Sequence, residues 1–272
     1  MRTSSQSGMW GSTYHSPQDG QQGNECDTSP GKGWLAAVGI GPGGYTSLSV
    51  EAREVLVQAD AVVGYKTYLE LLGDLVQGKQ VYTSGMKQEV DRCQKALDLA
   101  QEGLGVAIVS SGDPGVYGMA GVVLELNEDP EFPIQVIPGI TSANGSAASL
   151  GAPLMHDFAV ISLSDLLTPW EQIAKRLHAA AEGDFVIVLY NPKSKQRREH
   201  IEKARAIILT HRSGNTPVGI VTDNYRVGES VTVSTLQDFS SETIDMSTTV
   251  IVGNSQSYTK FGRMITPRGY RF

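Results

Sequence analysis

Cysteine is nearly absent. The 272 residues hold two, Cys26 and Cys93, too few and too far apart for a disulfide framework or a thiolate metal site. That usage fits a reducing compartment, so a cytoplasmic setting is expected. No apolar run approaches the roughly 20 residues that span a bilayer, and no membrane partner is expected. Positive charge is in deficit: 22 Lys and Arg against 29 Asp and Glu leave a formal net charge of −7. An acidic chain lacks the bulk field that draws proteins to nucleic acid. No glycine-rich stretch leads into Gly-Lys-Ser/Thr, which removes the Walker phosphate loop. No His or Cys spacing suggests a metal.

Hydrophobic residues make up 40% of the chain, enough for a substantial core. Residues 1–33 stand apart. They are rich in Ser, Gly, Gln, Thr and Asp, show no periodicity and contain no apolar segment of the signal-peptide kind, so a flexible tail is expected. From Trp34 onward, strand and helix patterns alternate. "WLAAVGI", "DAVVGY", "GVAIVSSG" and "IQVIPG" read as strands. "LSVEAREVLVQA" reads as a helix capped by Ser49. In "MKQEVDRCQKALDLAQEG", Met86, Val90, Cys93, Leu97 and Ala100 share one helical face, which makes Cys93 a core thiol.

The second half repeats the alternation. "FAVISLS" and "FVIVLYN" read as strands, the latter of the parallel kind covered on both faces. "TPWEQIAKRLHAAAEG" opens with Thr168, Pro169 and Glu171, the pattern of a capping box with Pro at the first helical position. "KSKQRREHIEKARAIILTH" reads as a helix, and "TPVGIVTDNY", "ESVTVSTL" and "STTVIVGNS" as later strands, the middle one in a hairpin. The expectation is α/β architecture in two domains, 34–152 and 153–272, joined at "APLMHDF".

Glycine-rich loops follow several of these strands. "VGIGPGG" sits between a strand and a helix, where a helix N-terminus can hold a phosphate. The dinucleotide fingerprint fails here. The last glycine spacing is short, Pro42 intrudes, and the next strand ends in Val63-Gly64-Tyr65 with no acid for a ribose. "SSGDPGVYG", "IPGITSANG", "SLSDLL" and "LYNPKS" also fall at predicted strand ends, the edge where open α/β sheets bind ligands. The first two carry no Lys or Arg. They suit a polar, uncharged or zwitterionic ligand better than a polyphosphate.

Taken together, "GIGPGG", "SSGDPGVYGMAG", "IPGITSA", "SLSDLLTPWE", "LYNPKS" and "MITPRGY" resemble the tetrapyrrole (precorrin) methylase family over residues 34–272. The last motifs look most like its carbon-17 branch, which acts on precorrin-3B or cobalt-factor III in cobalamin biosynthesis. The resemblance implies two α/β domains with a cofactor cleft between them, assembled as a homodimer. It implies methyl transfer from S-adenosyl-L-methionine to carbon-17 of a tetrapyrrole macrocycle, with ring contraction. For the cofactor it implies Pro42, Gly112, Asp113, Val116, Tyr117, Thr141, Ser142, Tyr190 and Asn191, with Thr248 and Thr249. Asp113 either accepts hydrogen bonds from the cofactor or only shapes its loop as an Asx-turn.

A polycarboxylate macrocycle needs local positive charge on an acidic protein. Lys193, Lys195, Arg197 and Arg198 cluster after "YNP", at the expected helix start, and are candidate substrate ligands; Arg226, Arg263 and Arg268 are scattered cations. Asp113, Asp165 and His156 are the candidate catalytic groups, Asp165 and His156 as an acid or base during contraction. Two alternatives stay open: another member of the family with a different target, or a sensor that binds the cofactor without turnover.

Overall fold

The computed structural model describes residues 33–85, 88–194 and 196–271. Residues 1–32 of the expected tail, Met86 and Lys195 lie outside the described residues. The elements up to the joint are β1 Trp34–Gly39, α1 Val50–Gln58, β2 Ala61–Tyr65, α2 Lys66–Glu70, β3 Gln80–Ser84, α3 Glu89–Gln101, β4 Gly105–Ser110, α4 Ala120–Leu126, β5 Ile134–Ile137 and α5 Ser142–Leu150. Then come β6 Gly151–Ala152, β7 Phe158–Ser162, α6 Trp170–Glu182, β8 Val186–Tyr190, α7 His200–Leu209, β9 Pro217–Thr222, β10 Ser230–Thr235, β11 Thr248–Val252, β12 Tyr258–Lys260 and β13 Arg263–Ile265.

The first sheet runs β3-β2-β4-β1-β5, all parallel. Successive residues of β1 feed opposite cores, as the two-residue period of a strand requires. Trp34, Ala36 and Val38 pack with α1, while Leu35 and Ala37 pack with α3 and α4. β1 and β4 are neighbours whose following helices lie on opposite faces. The crevice beyond their carboxyl ends is therefore a switch point of the kind that binds ligands.

The second sheet runs β10-β9-β11-β8-β7. Only β7 and β8 pair in parallel; the other neighbours are antiparallel. The apolar run "FVIVLYN" correctly signals burial on both faces, with Ile187 and Leu189 in one core and Val186 and Val188 in the other. It does not report the direction of both neighbours: β8 pairs in parallel with β7, as expected of such a strand, and antiparallel with β11. The expected hairpin is present as β9 and β10. A small third sheet, β12-β13-β6, escaped the sequence because strands of two or three residues carry no readable period.

Ser49 caps α1 as expected, its hydroxyl accepting from the Ala52 N–H at 3.0 Å. The capping box at Thr168 does not form. Pro169 itself is the extended N-cap residue, so α6 starts at Trp170, one residue later than the pattern requires. Cys93 is fully buried, and burial pushes its thiol up to about 11. Val90, expected on the same face, is exposed, and Arg92 is buried instead.

Glycines crowd the carboxyl ends of the first sheet. A Cβ on Gly39 would lie 2.6 Å from the Gly139 nitrogen and 2.8 Å from the Gly112 carbonyl oxygen, and one on Gly139 would strike that same oxygen. Gly139→Ala should therefore destabilise the fold by about 1–3 kcal/mol or more, the usual cost of overpacking. A methyl group on Gly121, in α4, would meet nothing within 4 Å. Gly121→Ala should stabilise by up to about 1 kcal/mol through helix propensity. Urea unfolding of the two variants should show shifts of opposite sign.

Candidate active site

Three strand-end loops of the first sheet are bound to one another. Gly41 and Gly112 exchange hydrogen bonds of 3.1 and 2.7 Å, with both residues at positive φ. The Asp113 carboxylate completes the junction. Oδ1 accepts from Gly115 N–H at 2.8 Å, closing an Asx-turn, and Oδ2 accepts from Gly139 N–H at 3.0 Å. The acid locked between Gly112 and Pro114 thus ties the β4 loop to the β5 loop.

Against this junction lies a cavity of about 500 Å³. Pro42, Val116, Tyr117, Ser142, Tyr190, Asn191 and Thr249 line it, all seven named by the sequence. Gly112, Asp113, Thr141 and Thr248 do not line it but stand behind its wall. Thr141 is the N-cap residue of α5. Thr248 is buried, its hydroxyl 2.9 Å from that of Thr222 and 3.1 Å from Asp245 Oδ1. The wall also includes Tyr65, Tyr68 and Arg92, which sequence reasoning passed over. Arg92 was legible in one respect, since it sits four residues before Ala96 on the buried face of α3. It donates to Ser84 Oγ at 2.8 Å and to Gly85 O at 2.9 Å.

The second half closes the cavity. Tyr190, at the end of β8, places its hydroxyl 2.5 Å from Thr141 Oγ1 and accepts from Ala143 N–H at 2.7 Å. Burial raises the Tyr190 phenol above its usual range, against the lowering effect of those two bonds. In return Tyr117 reaches β7, its hydroxyl 3.3 Å from both Val160 O and Ser162 N. Arg226 donates to Pro42 O at 2.8 Å and to Ser111 Oγ at 3.1 Å. Both sheets therefore share one site.

A second cavity, of about 730 Å³, adjoins the first; Glu89, Asn191 and Met246 line both. Asp165, Arg197, Arg198, His200 and Lys203 face it. The basic stretch does not begin a helix as expected. Ser194 and Arg197 close a turn on each other by backbone bonds of 3.0 and 3.2 Å, and α7 waits until His200. Arg197 folds back as a brace, donating to Asn191 O at 2.9 Å with Asp165 Oδ1 at 3.9 Å. Burial lowers its pKa, and the Asp165 charge works the other way. Lys193 and Arg198 line a third recess of about 460 Å³ beside Asp245.

His156 is not brought to any of these cavities. It is exposed, and its Nδ1 accepts from the N–H of Asp157 at 2.9 Å. The histidine at the site is His200, missed because nothing in "REHIEK" distinguishes it from a helix-surface residue. Among the described residues, no group of three or more His, Cys, Asp or Glu could hold a metal ion. No helix among them is long and apolar enough to cross a membrane. The first cavity can hold a small polar ligand with an aromatic part. The second can receive a larger anionic one beside it.

Known proteins point the same way. Residues 35–240 match the family described as Tetrapyrrole (Corrin/Porphyrin) Methylases. A Salmonella typhimurium protein named "Probable cobalt-factor III C(17)-methyltransferase" is 50% identical over 238 residues, 87% of this chain and 99% of that protein. The "Cobalt-factor III methyltransferase" of Priestia megaterium is 47% identical over 246 residues. That alignment takes in 88% of this chain, which spans 46% of the Priestia protein's length. The crystal structure of the methyltransferase CobJ superposes with a TM-score of 0.81 at 36% identity, over 86% of this chain and all of that one.

Two substitutions test the junction. Tyr190→Phe leaves the Ala143 N–H without its acceptor, and Asp113→Asn turns an amide donor toward one of two N–H groups. Tyr190→Phe should cost about 1–3 kcal/mol in chemical unfolding, the penalty of an unpaired buried donor, and Asp113→Asn, whose Gly115 bond is exposed, about 0.5–1.5 kcal/mol.

Proposed function

The chain belongs to the tetrapyrrole (corrin/porphyrin) methylase family, and from that premise we propose that it transfers a methyl group from S-adenosylmethionine to carbon-17 of cobalt-factor III, with ring contraction, in cobalamin biosynthesis. The observation that carries the reading is the pair of joined cavities, one of about 500 Å³ shared by the two sheets and one of about 730 Å³ with cations along its wall. The names of the close relatives support carbon-17 as the target.

The lining of the first cavity fits the methyl donor. Its volume falls within the range of about 300–1,000 Å³ usual for small-molecule sites. Tyr65, Tyr68, Tyr117 and Tyr190 offer apolar and aromatic surface for a purine, and the Ser110, Ser111, Ser142 and Thr249 hydroxyls offer partners for a ribose and an amino acid group. Pro42, Val116, Tyr117, Ser142, Tyr190, Asn191 and Thr249 would hold the donor directly. Gly112, Asp113, Thr141 and Thr248 would act by fixing the walls. When bound, it supplies an electrophilic methyl group on a sulfonium.

What such a reaction asks of the protein is mainly alignment, worth about 7–11 kcal/mol in favourable cases. Rigid walls supply it. The Asp113 carboxylate fixes two loops of the first sheet, and the paired tyrosines fix the second sheet against them. Arg198 and Lys193 would meet the macrocycle's carboxylates, while Arg197 shapes the passage between the cavities. The proposal includes two α/β domains that divide at residues 152 and 153, and a cytoplasmic homodimer, closed pairs being the commonest assembly.

Incubation with methyl-labelled donor under anaerobic, reducing conditions tests the reading. Cobalt-factor III should give a contracted product with the label on carbon-17 by carbon NMR, and metal-free precorrin-3B should react less well. Label at another carbon with the ring size preserved would overturn the assignment. Replacing Lys193 and Arg198 together by Gln should raise the macrocycle KM severalfold and leave donor affinity unaltered. Added salt should weaken macrocycle binding more in the wild type than in that variant. Analytical ultracentrifugation should return the mass of two chains.

A further inference from the structure

Past Ser162, which bonds Tyr117 and Asn191, the segment "SLSDLLTPWE" has no part in the proposed donor site, yet three of its residues converge on one side chain. His200 is 9% exposed, at the wall of the larger cavity. Its Nδ1 lies 3.0 Å from Leu163 O. A carbonyl only accepts, so Nδ1 carries a proton, and the lone pair of the neutral ring sits on Nε2. Nε2 lies 3.5 Å from Asp165 Oδ2. That is long for a hydrogen bond but close enough to steady an imidazolium. Trp170 covers one face of the ring, with centroids 4.5 Å apart and planes 28° from parallel. A carbonyl, a carboxylate and an indole thus fix the tautomer, the counter-charge and the orientation of one imidazole.

We infer that His200 accepts the proton released by the macrocycle during methylation, with Leu163, Asp165 and Trp170 as its positioning residues. The inference rests on the proposed function and names a residue within that site. The new carbon–carbon bond takes its electron pair from the ring's π system, and the sulfur–methyl pair returns to the donor's sulfur. The ring thereby gains one positive charge. Loss of one proton from the macrocycle to Nε2 restores its charge, and the bond pair that held that proton stays with the ring. The imidazolium formed faces Asp165. The other cations around this cavity are Arg197, whose Nη1 is 3.9 Å from Asp165 Oδ1, Lys203, whose Nζ lies over the Trp170 ring at 5.8 Å, and Arg198. Glu199 pairs with Lys203 at 3.3 Å, and Glu89 lines the far wall.

A purely structural histidine would need only the Leu163 bond, which a glutamine amide can also donate. His200→Gln should therefore fold. In the labelled-methyl assay on the full chain, its kcat should fall about 10²–10⁴-fold, the usual worth of a positioned proton acceptor. Donor affinity by calorimetry should not change, and macrocycle KM should stay within about threefold, since the charge-bearing ligands are intact. The acid limb of the wild-type rate profile should vanish. Asp165→Asn should also lower kcat, and it carries the kinetic test if the glutamine variant fails to fold. His178→Gln, on the outer part of α6, should leave rates unchanged. Independently of turnover, nitrogen NMR of the labelled protein should show His200 as the Nδ1–H tautomer when neutral. An Nε2–H tautomer, an unchanged kcat and pH profile in an active series, or a change in KM alone would each overturn the inference. A wild-type chain that binds the donor but methylates no macrocycle would defeat the proposed function, and this inference with it.

Discussion

At the carboxyl ends of β1, β4 and β5, three peptide segments lie closer together than side chains would permit. Gly39, Gly112 and Gly139 pack backbone on backbone there, and Asp113 bonds one loop to the next. Everything downstream inherits that contact. It fixes where α4 and α5 begin, so it fixes the floor of the smaller cavity and the N–H that Tyr190 captures from the other sheet. The acid contributes geometry, and through geometry it governs what the cavity can align.

Backbone strain gathers at the same place. Among the described residues, six other than glycine have positive φ. Tyr117 and Asn191 line the smaller cavity, and Asp223 and Tyr225 flank Asn224, which also lines it. Such conformations cost about 1–3 kcal/mol each and persist only where the surroundings over-determine them. Here the surroundings are the cross-sheet bonds of Tyr117, Tyr190 and Arg226, which hold the two halves in one arrangement. The stability of the scaffold sustains a site that local preference alone would not form.

Much of this was legible in the sequence, and the gaps have physical causes. The strands of both cores and the loops around the smaller cavity followed from apolar period and glycine placement. Direction in the second sheet did not, because an apolar strand reports burial and nothing about its neighbours. The basic stretch from Lys193 to Arg198 was read as helix because its composition favours one; the Ser194–Arg197 turn and the Arg197 brace won instead. His156 and His200 are indistinguishable by type. What separates them is three-dimensional: the carbonyl, carboxylate and indole around His200 come from Leu163, Asp165 and Trp170, 30 to 37 positions away along the chain. The individual residues of that socket were in view, but their convergence was not.

β13 pairs in parallel with β6, the two-residue strand at the passage between the halves. Met264 meets Gly151 there and is fully buried in the core beneath α5, and Thr266 N–H bonds to Ala152 O at 3.1 Å. The crossover is thus clamped by a segment that a ribosome releases only after the whole second sheet. The pairing of β6 with β13 can therefore form only once residues 263–266 have been made. The order of translation makes this clamp on the passage between the halves one of the last contacts that the chain can form.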